Sequence, residues 1–548
     1  MLIMFTYMLF MFTSWFFLLT LIIFFKSKLI MLEWMIYSYN SMKFSFLIYL
    51  DFYSMMFLML VSLISMIVLI YSIYYMEGDK FMNRFIILVI LFVISMYLMI
   101  LSPSFLTILL GWDGLGLISY CLIIYYQNEK AYNAGMLTIF SNRIGDVGIL
   151  LMITMGMMFG SWNLMVYKFN LLMLILLMLV AFTKSAQIPF TLWLPAAMMA
   201  PTPVSSLVHS STLVTAGVYL LIRYNKFLFL DYFNKYILLI SSLTMFMAGL
   251  IANYEYDFKK IIALSTLSQL SLMMSILSLG FWEMAFFHLV IHALFKSLMF
   301  LCVGSFIHNF NSSQDIRCYG GVMYIYPFKT MVLIFSLLCL MGFPFMSGYF
   351  SKDMIMELIF LNKMNLISMM LLIFSTIFTV SYSIRLIMFI LFSKKNYYVN
   401  LIKKESILVN FCMFILLMTI FFMGYLYFKI FNLNYLILLT LNMKIMVMKL
   451  IFFGILIGQF FYFNSFKMNK MGNFMSTMFY IEKIYQYYDI PLNLIMLYEN
   501  IHEKNLFEFK IKFIKLKFYL FKYKLNEYNF LSMLLTNLLM MLIFIILI

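Results

Sequence analysis

Charged side chains are scarce in this 548-residue sequence. Asp, Glu, Lys and Arg together make up 11% of the chain, whereas a soluble globular domain carries about 25%. A chain so poor in charge cannot cover several soluble domains with polar surface, and it lacks the polar composition of a disordered protein. The scarcity of charge therefore excludes a soluble enzyme, a disordered hub and a nucleic-acid-binding module.

Cysteine is also rare, with five residues scattered through apolar runs. No two of them form a C-x-x-C pair, so the chain cannot supply the ligands of a four-cysteine iron–sulfur cluster or a zinc ribbon. Their scatter does not suggest a disulfide framework, and we interpret them as small buried hydrophobic residues. The sequence predicts no metal and no cofactor held by this chain.

Apolar residues, in contrast, account for 65% of the chain, and the mean hydropathy is +1.02. Because a transmembrane helix needs roughly 20 apolar residues, the long apolar runs predict about 15 to 16 spans. The first run, Leu2–Phe25, is too long for the apolar part of a signal peptide. The runs are also far longer than the strands of a membrane barrel, so the predicted class is an all-α polytopic membrane protein.

Positive charge is concentrated toward the C-terminal end. The net charge is +16, and residues 393–548 hold 17 of the 37 basic side chains but only 7 of the 21 acidic ones. Residues 464–526 alternate apolar and lysine-rich patches, and a last apolar run begins at Leu531. We interpret this region as a lateral amphipathic helix along the membrane, followed by a final anchor helix.

Two places interrupt the apolar pattern. Ser185–Val204 carries four of the eight prolines, and Gly342–Gly348 combines glycine with proline. Such breaks are tolerated at membrane depth only where they contact protein or water. A lysine lies beside each break, Lys184 at the first and Lys352 at the second. Paired interruptions of this kind are typical of the binding site of a transporter.

Ionisable residues inside apolar runs need an explanation, because a charge at the bilayer centre costs at least about 2.5–3.5 kcal/mol. Lys26, Arg84, Arg223 and Lys329 lie near span ends, and we expect their side chains to reach the membrane interface. Asp113 and Lys184 lie deep inside apolar runs, and His209 lies in a hydroxyl-rich patch that could hold ordered water. Arg143 and Asp146 are three residues apart, which allows a local ion pair on one helix face.

His288, His292 and Lys296 form a polar stripe on one predicted helix. Their spacing of four residues keeps the three side chains within about 80° around the helix. A zinc site is the alternative explanation, but the glutamate of H-E-x-x-H is missing and no third ligand is evident. Lys296 would also repel a metal ion, so a hydrogen-bonded proton path is the better interpretation.

These motifs together resemble one family, the antiporter-like subunits of respiratory complex I, which are related to the large subunits of multi-subunit sodium/proton antiporters. The resemblance covers about residues 50–392; beyond residue 393 only the layout is similar. The segments that carry it are Gly111–Tyr120, Ser141–Asp146, Thr183–Pro189, Trp193–Ala197, Ala200–Gly217, Phe287–Lys296, His308–Ile316 and Gly348–Asp353.

The resemblance implies a fold of two inverted five-helix repeats, at about 104–223 and 236–392, each with an interrupted helix that bears a lysine. Residues 1–50 would then be an N-terminal transmembrane segment and loop, 51–103 an N-terminal antiporter-like segment, 104–392 the proton-translocating core and 393–548 the C-terminal region with the lateral helix. The implied proton relay consists of Asp113, Arg143, Asp146, Lys184, His209, His288, His292, Lys296, Lys352 and Asp353.

Within this relay the resemblance implies particular roles. Lys184 and Lys352 are the pump lysines of the two halves, and Asp353 lies near the exit. Asp113 matches the carboxylate that partners the first lysine, although many relatives have the longer glutamate at that position. His209, His288, His292 and Lys296 match the polar axis between the two lysines.

The implied function is proton translocation across the mitochondrial inner membrane, driven by electron transfer from NADH to ubiquinone in other subunits. FMN, iron–sulfur clusters, NADH and ubiquinone would belong to those subunits, and the chain itself would hold no redox centre. Its partners would be membrane lipids and other membrane-arm subunits, including sister antiporter-like chains contacted by the lateral helix, with no nucleic acid. The methionine-rich composition suggests mitochondrial encoding. A free-standing cation/proton antiporter and a non-pumping scaffold remain as alternatives.

Overall fold

The computed structural model of the chain describes residues 2–26, 28–39, 42–163, 171–225, 231–310, 312–362, 365–393, 405–431 and 439–464, with residues 474, 475, 478 and 479. Within these residues the structure is mainly helical, and twelve helices are long and apolar enough to cross a membrane. This confirms the predicted class of an all-α polytopic membrane protein. The predicted lateral helix and final anchor helix lie outside the described residues.

The chain begins with helix α1 (Leu2–Lys26) and then forms a hairpin that the sequence analysis did not assign. Strand β1 (Ile30–Tyr39) pairs antiparallel with β2 (Met42–Leu50), with an irregularity between Met35 and Tyr37. The segment is rich in aromatic and branched residues that favour strands. The segment also contains Glu33, Asn40 and Lys43, which interrupt its apolar residues.

The first half of the core contains long helices and several short ones. Asp51 caps the first of them, and Ser54 completes a capping box, which fixes where this helix starts. The helices are α2 (Phe52–Tyr75), α3 (Met82–Leu101), α4 (Phe105–Ile123), α5 (Glu129–Met157), α6 (Leu171–Lys184), α7 (Trp193–Ala196), α8 (Thr202–Val204) and α9 (Leu213–Arg223).

The second half continues with helices of similar composition. They are α10 (Asp231–Ala252), α11 (Phe258–Ser278), α12 (Trp282–Asn309), α13 (Pro327–Met341), α14 (Ser347–Leu361), α15 (Leu366–Leu391), α16 (Ile407–Phe431) and α17 (Leu441–Asn464). The apolar helices α6 and α13 are short. Each ends at a predicted break and is followed by a further helical segment, so both interruptions occur where proline and glycine predicted them.

A stretch of π-helix, Ser205–Thr212, joins α8 to α9, so that Thr202–Arg223 is one continuous span with a wider middle. This span, α11 and α12 are the most enclosed of the long helices, whereas α1 and α17 are largely exposed. The most enclosed helices are also those that carry buried histidine, lysine and glutamine. Polar groups therefore lie at the centre of the described fold, where only other helices surround them.

Close packing fixes the first break against its neighbours. A Cβ atom on Gly217 of α9 would lie 2.6 Å from the carbonyl oxygen of Ala181 and 3.2 Å from the amide nitrogen of Ser185. These are backbone atoms that cannot rotate away, so only glycine permits this approach. The contact holds the end of α6, and therefore Lys184, against α9.

Candidate functional site

Lys184 is the last residue of α6 and is completely buried. Its Nζ lies 4.9 Å from the centre of the Trp112 ring on α4, a distance at which the face of the indole attracts a cation. Among the described residues Nζ has no hydrogen-bond partner. The C-terminal end of α6 also favours a positive charge, because the carbonyl dipoles of the helix point toward it.

Two carboxylates act on Lys184 through space. Asp146 of α5 attracts its ammonium group more strongly than Asp113 of α4 does. Among the described residues, neither carboxylate forms an ion pair within 4.0 Å with Lys184. Asp146 instead pairs with Arg143 at 3.2 Å, as their spacing predicted, and one of its oxygens, Oδ1, stays buried without a partner. The resemblance implies Asp113 as the partner of Lys184, whereas in the structure Asp146 has the larger electrostatic influence.

His209 lies in the π-helical stretch and is buried. Both of its ring nitrogens have no hydrogen-bond partner within the described part of the chain. The neighbouring hydroxyls donate to carbonyls of their own helix, for example Ser210 to Ser206 and Thr212 to Leu207. Single-turn π-helical insertions occur frequently at functional sites because they change which side chains point inward.

The polar stripe on α12 is buried along its whole length. His288 Nδ1 lies 2.9 Å from Ser351 Oγ on α14, and its Nε2 lies 3.1 Å from Gln269 Oε1 on α11. The His292 ring follows at 6.3 Å between centroids, and Lys296 donates a hydrogen bond to Ser265 on α11. The stripe is therefore held between α11 and α14 by neutral polar groups.

Lys352 lies in α14, one residue after Ser351. Its Nζ donates to Thr379 Oγ1 at 2.8 Å and to the carbonyl oxygen of Met341 at 3.2 Å. Met341 is the last residue of α13, where helix carbonyls have no partner of their own. The break between α13 and α14 therefore supplies acceptors that stabilise the ammonium form of Lys352.

A small cavity of about 20 Å³, the size of one water molecule, lies beside this lysine. Lys352, Asp353 and Met356 line one side, and residues of α17 line the other. Asp353 interacts with the Tyr349 hydroxyl and with Lys444 of α17. Glu357, one turn further along α14, interacts electrostatically with both Asp353 and Lys444. Two carboxylates, Asp353 and Glu357, and one cation, Lys444, therefore lie on the side of α14 next to Lys352.

Contacts between successive residues of the predicted relay are closer in its second half than in its first. Lys352 is adjacent to Ser351, which bonds His288, and His288 is followed on α12 by His292 and Lys296. No described side-chain hydrogen bond joins Lys184 to His209, or His209 to the stripe. The first part of the predicted relay, from Lys184 to His209, therefore has buried polar atoms without a partner among the described residues.

Several site residues were missed by the sequence analysis. They are neutral polar groups that contact the relay directly: Ser265, Gln269, Ser351 and Thr379. A signal for part of this set existed in Ser265–Ser271, where five polar residues interrupt an apolar run at helical spacing. Lys259 and Arg385 are also buried; they donate to the carbonyl oxygens of Ala200 and Ala252.

One prediction about interfacial residues is wrong. Lys26 and Arg84 are exposed as expected, but Lys329 is completely buried beside the rings of Tyr74 and Tyr326. Arg223 lies at the end of its helix with its side chain 12% exposed, and it forms a largely buried ion pair with Asp51. Both residues lie near helix ends, but neighbouring helices cover those ends.

Within the described ranges, no group of three or more histidine, cysteine or acidic side chains is placed to hold a metal.

Comparison with known proteins identifies the family. Residues 102–379, slightly more than half of the chain, match the family described as NADH:quinone oxidoreductase/Mrp antiporter, TM. Residues 34–86 match the family described as NADH-Ubiquinone oxidoreductase (complex I), chain 5 N-terminus. The first match contains all the motif segments, and the second overlaps the start of the region over which the resemblance extends.

Individual relatives agree. The chain is 53% identical over 372 residues to NADH-ubiquinone oxidoreductase chain 5 of Locusta migratoria, a match that covers 67% of this chain and 65% of that protein. It is 56% identical over 347 residues to the chain 5 protein of Anopheles arabiensis, covering 62% of this chain and 90% of the relative. The matched region thus spans just under two thirds of the length of the Locusta protein.

A solved structure of the Mrp complex from Dietzia sp. DQ12-45-1b has the same fold, with a TM-score of 0.77 at 20% identity over 92% of this chain and 58% of that chain. At this identity the likeness concerns the fold alone. Together with the matching family models and the chain 5 relatives, these findings establish that the chain belongs to the NADH:quinone oxidoreductase/Mrp antiporter family and, within it, to the NADH-ubiquinone oxidoreductase chain 5 proteins.

Proposed function

We propose that this chain is a proton-translocating membrane-arm subunit of NADH:ubiquinone oxidoreductase in the mitochondrial inner membrane, encoded in the mitochondrial genome. Electron transfer from NADH to ubiquinone takes place in other subunits, which carry the FMN and the iron–sulfur clusters. The observation that supports the proposal best is the buried path from Lys296 through His292, His288 and Ser351 to Lys352. Ionisable groups inside a membrane protein usually mark such paths.

In this proposal Lys184 loads a proton when a carboxylate approaches it. The approach of an opposite charge to 4 Å contributes about 4 kcal/mol at an effective dielectric constant of 20, which corresponds to roughly a thousandfold change in proton affinity. Asp146 exerts the stronger attraction and also pairs with Arg143. Movement of Asp146 between Arg143 and Lys184 would therefore switch the proton affinity of the lysine, with Asp113 contributing a smaller attraction.

The proton then passes along His209 and the stripe of α12 to Lys352. The ring nitrogens of His209 and His292 have no described protein partner, so they are free to bond to water. A neutral imidazole can accept a proton on one nitrogen and release one from the other. At Lys352 the ammonium form is stabilised by Thr379 and the Met341 carbonyl, and Asp353 is the next acceptor toward the surface.

The test is proton pumping in the assembled complex, with protons counted per electron in sealed vesicles. Lys184→Met and Lys352→Met remove the titrating amine and keep most of the side-chain volume, and we expect each to lower the proton count sharply. Lys260→Met, which removes a half-exposed lysine outside the relay, is the matched control. Unchanged pumping in both relay variants, with NADH oxidation intact, would contradict the proposal.

A free-standing cation/proton antiporter is the second candidate, because the matching family also includes Mrp antiporters. The chain 5 relatives favour the respiratory complex. Native-gel mass analysis of the gently solubilised chain separates the two: migration with a redox assembly supports the first, and sodium transport without such an assembly supports the second. A non-pumping scaffold would assemble normally and show no effect of the lysine variants.

A further inference from the structure

A second set of buried polar residues lies outside the proposed relay, at the ends of α2 and α12. Its members carry aromatic rings, hydroxyl groups and one amide, and they lie between the surface and the centre of the fold. We name this set the tyrosine ladder, and it consists of Tyr74, Asn309, His308, Tyr75, Tyr71 and Thr202.

The outer end of the ladder lies at one face of the helix bundle. Helices α2 and α12 run in the same direction, because Tyr53 and Trp282 at their starts lie 4.9 Å apart between ring centres, while Tyr74 and Asn309 meet at their ends. The loop that follows α2, residues 77–80, is exposed. The ladder therefore begins where α2 leaves the bundle.

The outer rungs are in direct contact. The Tyr74 hydroxyl donates to Asn309 Oδ1 at 2.5 Å. The His308 ring lies 4.8 Å from the Tyr74 ring and 5.6 Å from the Tyr75 ring, between centroids. The Tyr75 ring in turn lies 5.9 Å from that of Tyr71, so the contacts continue inward along successive turns of α2.

The inner end of the ladder is completely buried. The hydroxyls of Tyr71 and Tyr75 interact with the side chain of Thr202, the first residue of α8. The contact between Tyr71 and Thr202 does not reach hydrogen-bond geometry. The hydroxyls of Tyr71 and Thr202 therefore have no partner among the described residues. Buried hydroxyls in native proteins are almost always bonded to protein or to ordered water. These two groups therefore require water.

Gly304 of α12 lets two of these hydroxyl oxygens approach the backbone of the helix. A Cβ atom at this position would lie 2.6 Å from Thr202 Oγ1 and 2.7 Å from the Tyr71 hydroxyl. Because both oxygens lie within 2.7 Å of one point, a single water molecule at this junction could bridge them and would have two polar partners. Any larger residue would fill this junction.

Beyond the junction the polar path continues along one helix. Thr202 precedes the π-helical stretch, and His209 follows seven residues later. Ser205 and Ser206 lie between them and donate to the carbonyls of Thr202 and Pro203 at 2.9 Å. Their hydroxyl oxygens keep lone pairs that can accept hydrogen bonds. The ladder therefore leads toward a histidine with two unpartnered ring nitrogens.

The charges around the outer end favour cation access. Glu77 acts on Tyr74, and Asp79 acts on Tyr75, both from the exposed loop. Two described cations lie on this side: Lys80 in the same exposed loop, and Lys329, whose Nζ lies 6.0 Å from the Tyr74 ring. Lys329 is itself attracted by Glu405 of the segment before α16, which offsets part of its repulsion.

We propose that the tyrosine ladder is a hydrated half-channel that carries protons between the membrane surface at the end of α2 and His209. The inference rests on the proposed function. Each hydroxyl or water accepts a proton on a lone pair and passes its own proton to the next oxygen, so no group is consumed and no redox partner is needed. The final acceptor is a ring nitrogen of His209, which releases its other proton into the relay.

The experiment counts pumped protons per electron in vesicles that contain the assembled complex. Tyr71→Phe and Thr202→Val each remove one hydroxyl and keep the shape of the side chain, and Gly304→Ala fills the junction without changing any polar group. Tyr224→Phe is the matched control: this buried tyrosine lies just beyond α9, at the opposite end of the same span, and donates to the carbonyl of Pro103 at 2.8 Å. Lys352→Met serves as the reference for the relay.

We expect the three ladder variants to lower the proton count at least twofold, with NADH oxidation and assembly retained and with Tyr224→Phe at the wild-type value. Wild-type pumping in Tyr71→Phe and Thr202→Val, while Lys352→Met is impaired, would overturn the ladder and leave the proposed function standing. Wild-type pumping in all variants, Lys352→Met included, would overturn both. If Gly304→Ala does not assemble, the two hydroxyl variants decide the question.

Discussion

Arg223 and Asp51 are 172 positions apart in the chain and form a two-pronged ion pair, with nitrogen–oxygen distances of 2.5 and 2.9 Å. Tyr219 accepts a further hydrogen bond from Arg223 Nε at 2.8 Å. The pair fastens the start of α2 to the end of α9, which carries the histidine-bearing π-helical stretch at its other end. Paired carboxylate and guanidinium groups of this geometry bind in one orientation.

Loss of the Asp51 charge should destabilise the protein strongly. Asp51→Ala leaves a buried guanidinium without compensation, which typically costs about 3–5 kcal/mol, and it also removes the cap of α2, which contributes about 1 kcal/mol. Asp51→Asn keeps a capping oxygen and should show the charge effect alone. The measurement is the resistance of the purified protein to denaturant.

The matched control is Asp315→Ala, since Asp315 pairs with Arg317 at a partly exposed site. Exposed ion pairs contribute about 0–1 kcal/mol, so this variant should stay close to wild type. Equal stability of Asp51→Ala and Asp315→Ala would show that the buried pair has no special structural role.

The hydroxyl of Thr379 should decide how well Lys352 holds its proton. A hydrogen bond to a charged group contributes about 1.5–3 kcal/mol, and Thr379→Val removes this acceptor at nearly constant volume. We expect Thr379→Val to lower the number of protons pumped per electron and Thr379→Ser to restore it. Thr330→Val is the control, because the Thr330 hydroxyl donates only to the carbonyl of Pro327 in its own helix. Equal pumping by the valine and serine variants would speak against this role.

Gly217→Ala should disturb the packing around Lys184. The added methyl group would collide with the backbone of α6, and such overpacking costs about 1–3 kcal/mol. In Gly116→Ala, by contrast, the new methyl group would lie 3.8 Å from Lys184 Nζ, which is an ordinary van der Waals contact. Thermal denaturation of the two variants should therefore show a loss of stability only for Gly217→Ala. If Gly217→Ala were as stable as wild type, α6 and α9 could move apart without a loss of folding free energy.

The loop after α12 should open at low pH. Partial burial raises the pKa of Asp315, but hydrogen bonds and charge from Arg317 outweigh it and hold this pKa below its ordinary value. The contribution of the carboxylate to loop stability is therefore present above the ordinary pKa and is lost as the pH falls through the lowered one. Hydrogen exchange of residues 312–319 should accelerate in that acidic range, and Asp315→Asn should abolish the pH dependence.

The sequence predicted the fold class and both helix interruptions because each depends on local composition. Twenty apolar residues must cross the membrane as a helix, and proline with glycine must break it, whatever the neighbours are. The hairpin Ile30–Leu50 was missed, because these residues were expected to form a loop and strand pairing is a contact between two segments. The buried positions of Lys329 and Arg223 also depended on which helices cover them.

What the sequence determined by itself was which residues could titrate inside the membrane and where the helices break, since both are properties of single segments. Only the tertiary structure decided the partners of those residues. Asp146 acts on Lys184 more strongly than Asp113 does, Ser351 bonds His288, and Tyr71 meets Thr202, because helices far apart in the chain pack side by side. Hydrogen bonds form only at contact distance and electrostatic attraction weakens as the distance grows, so those partnerships are fixed by packing and not by spacing along the chain.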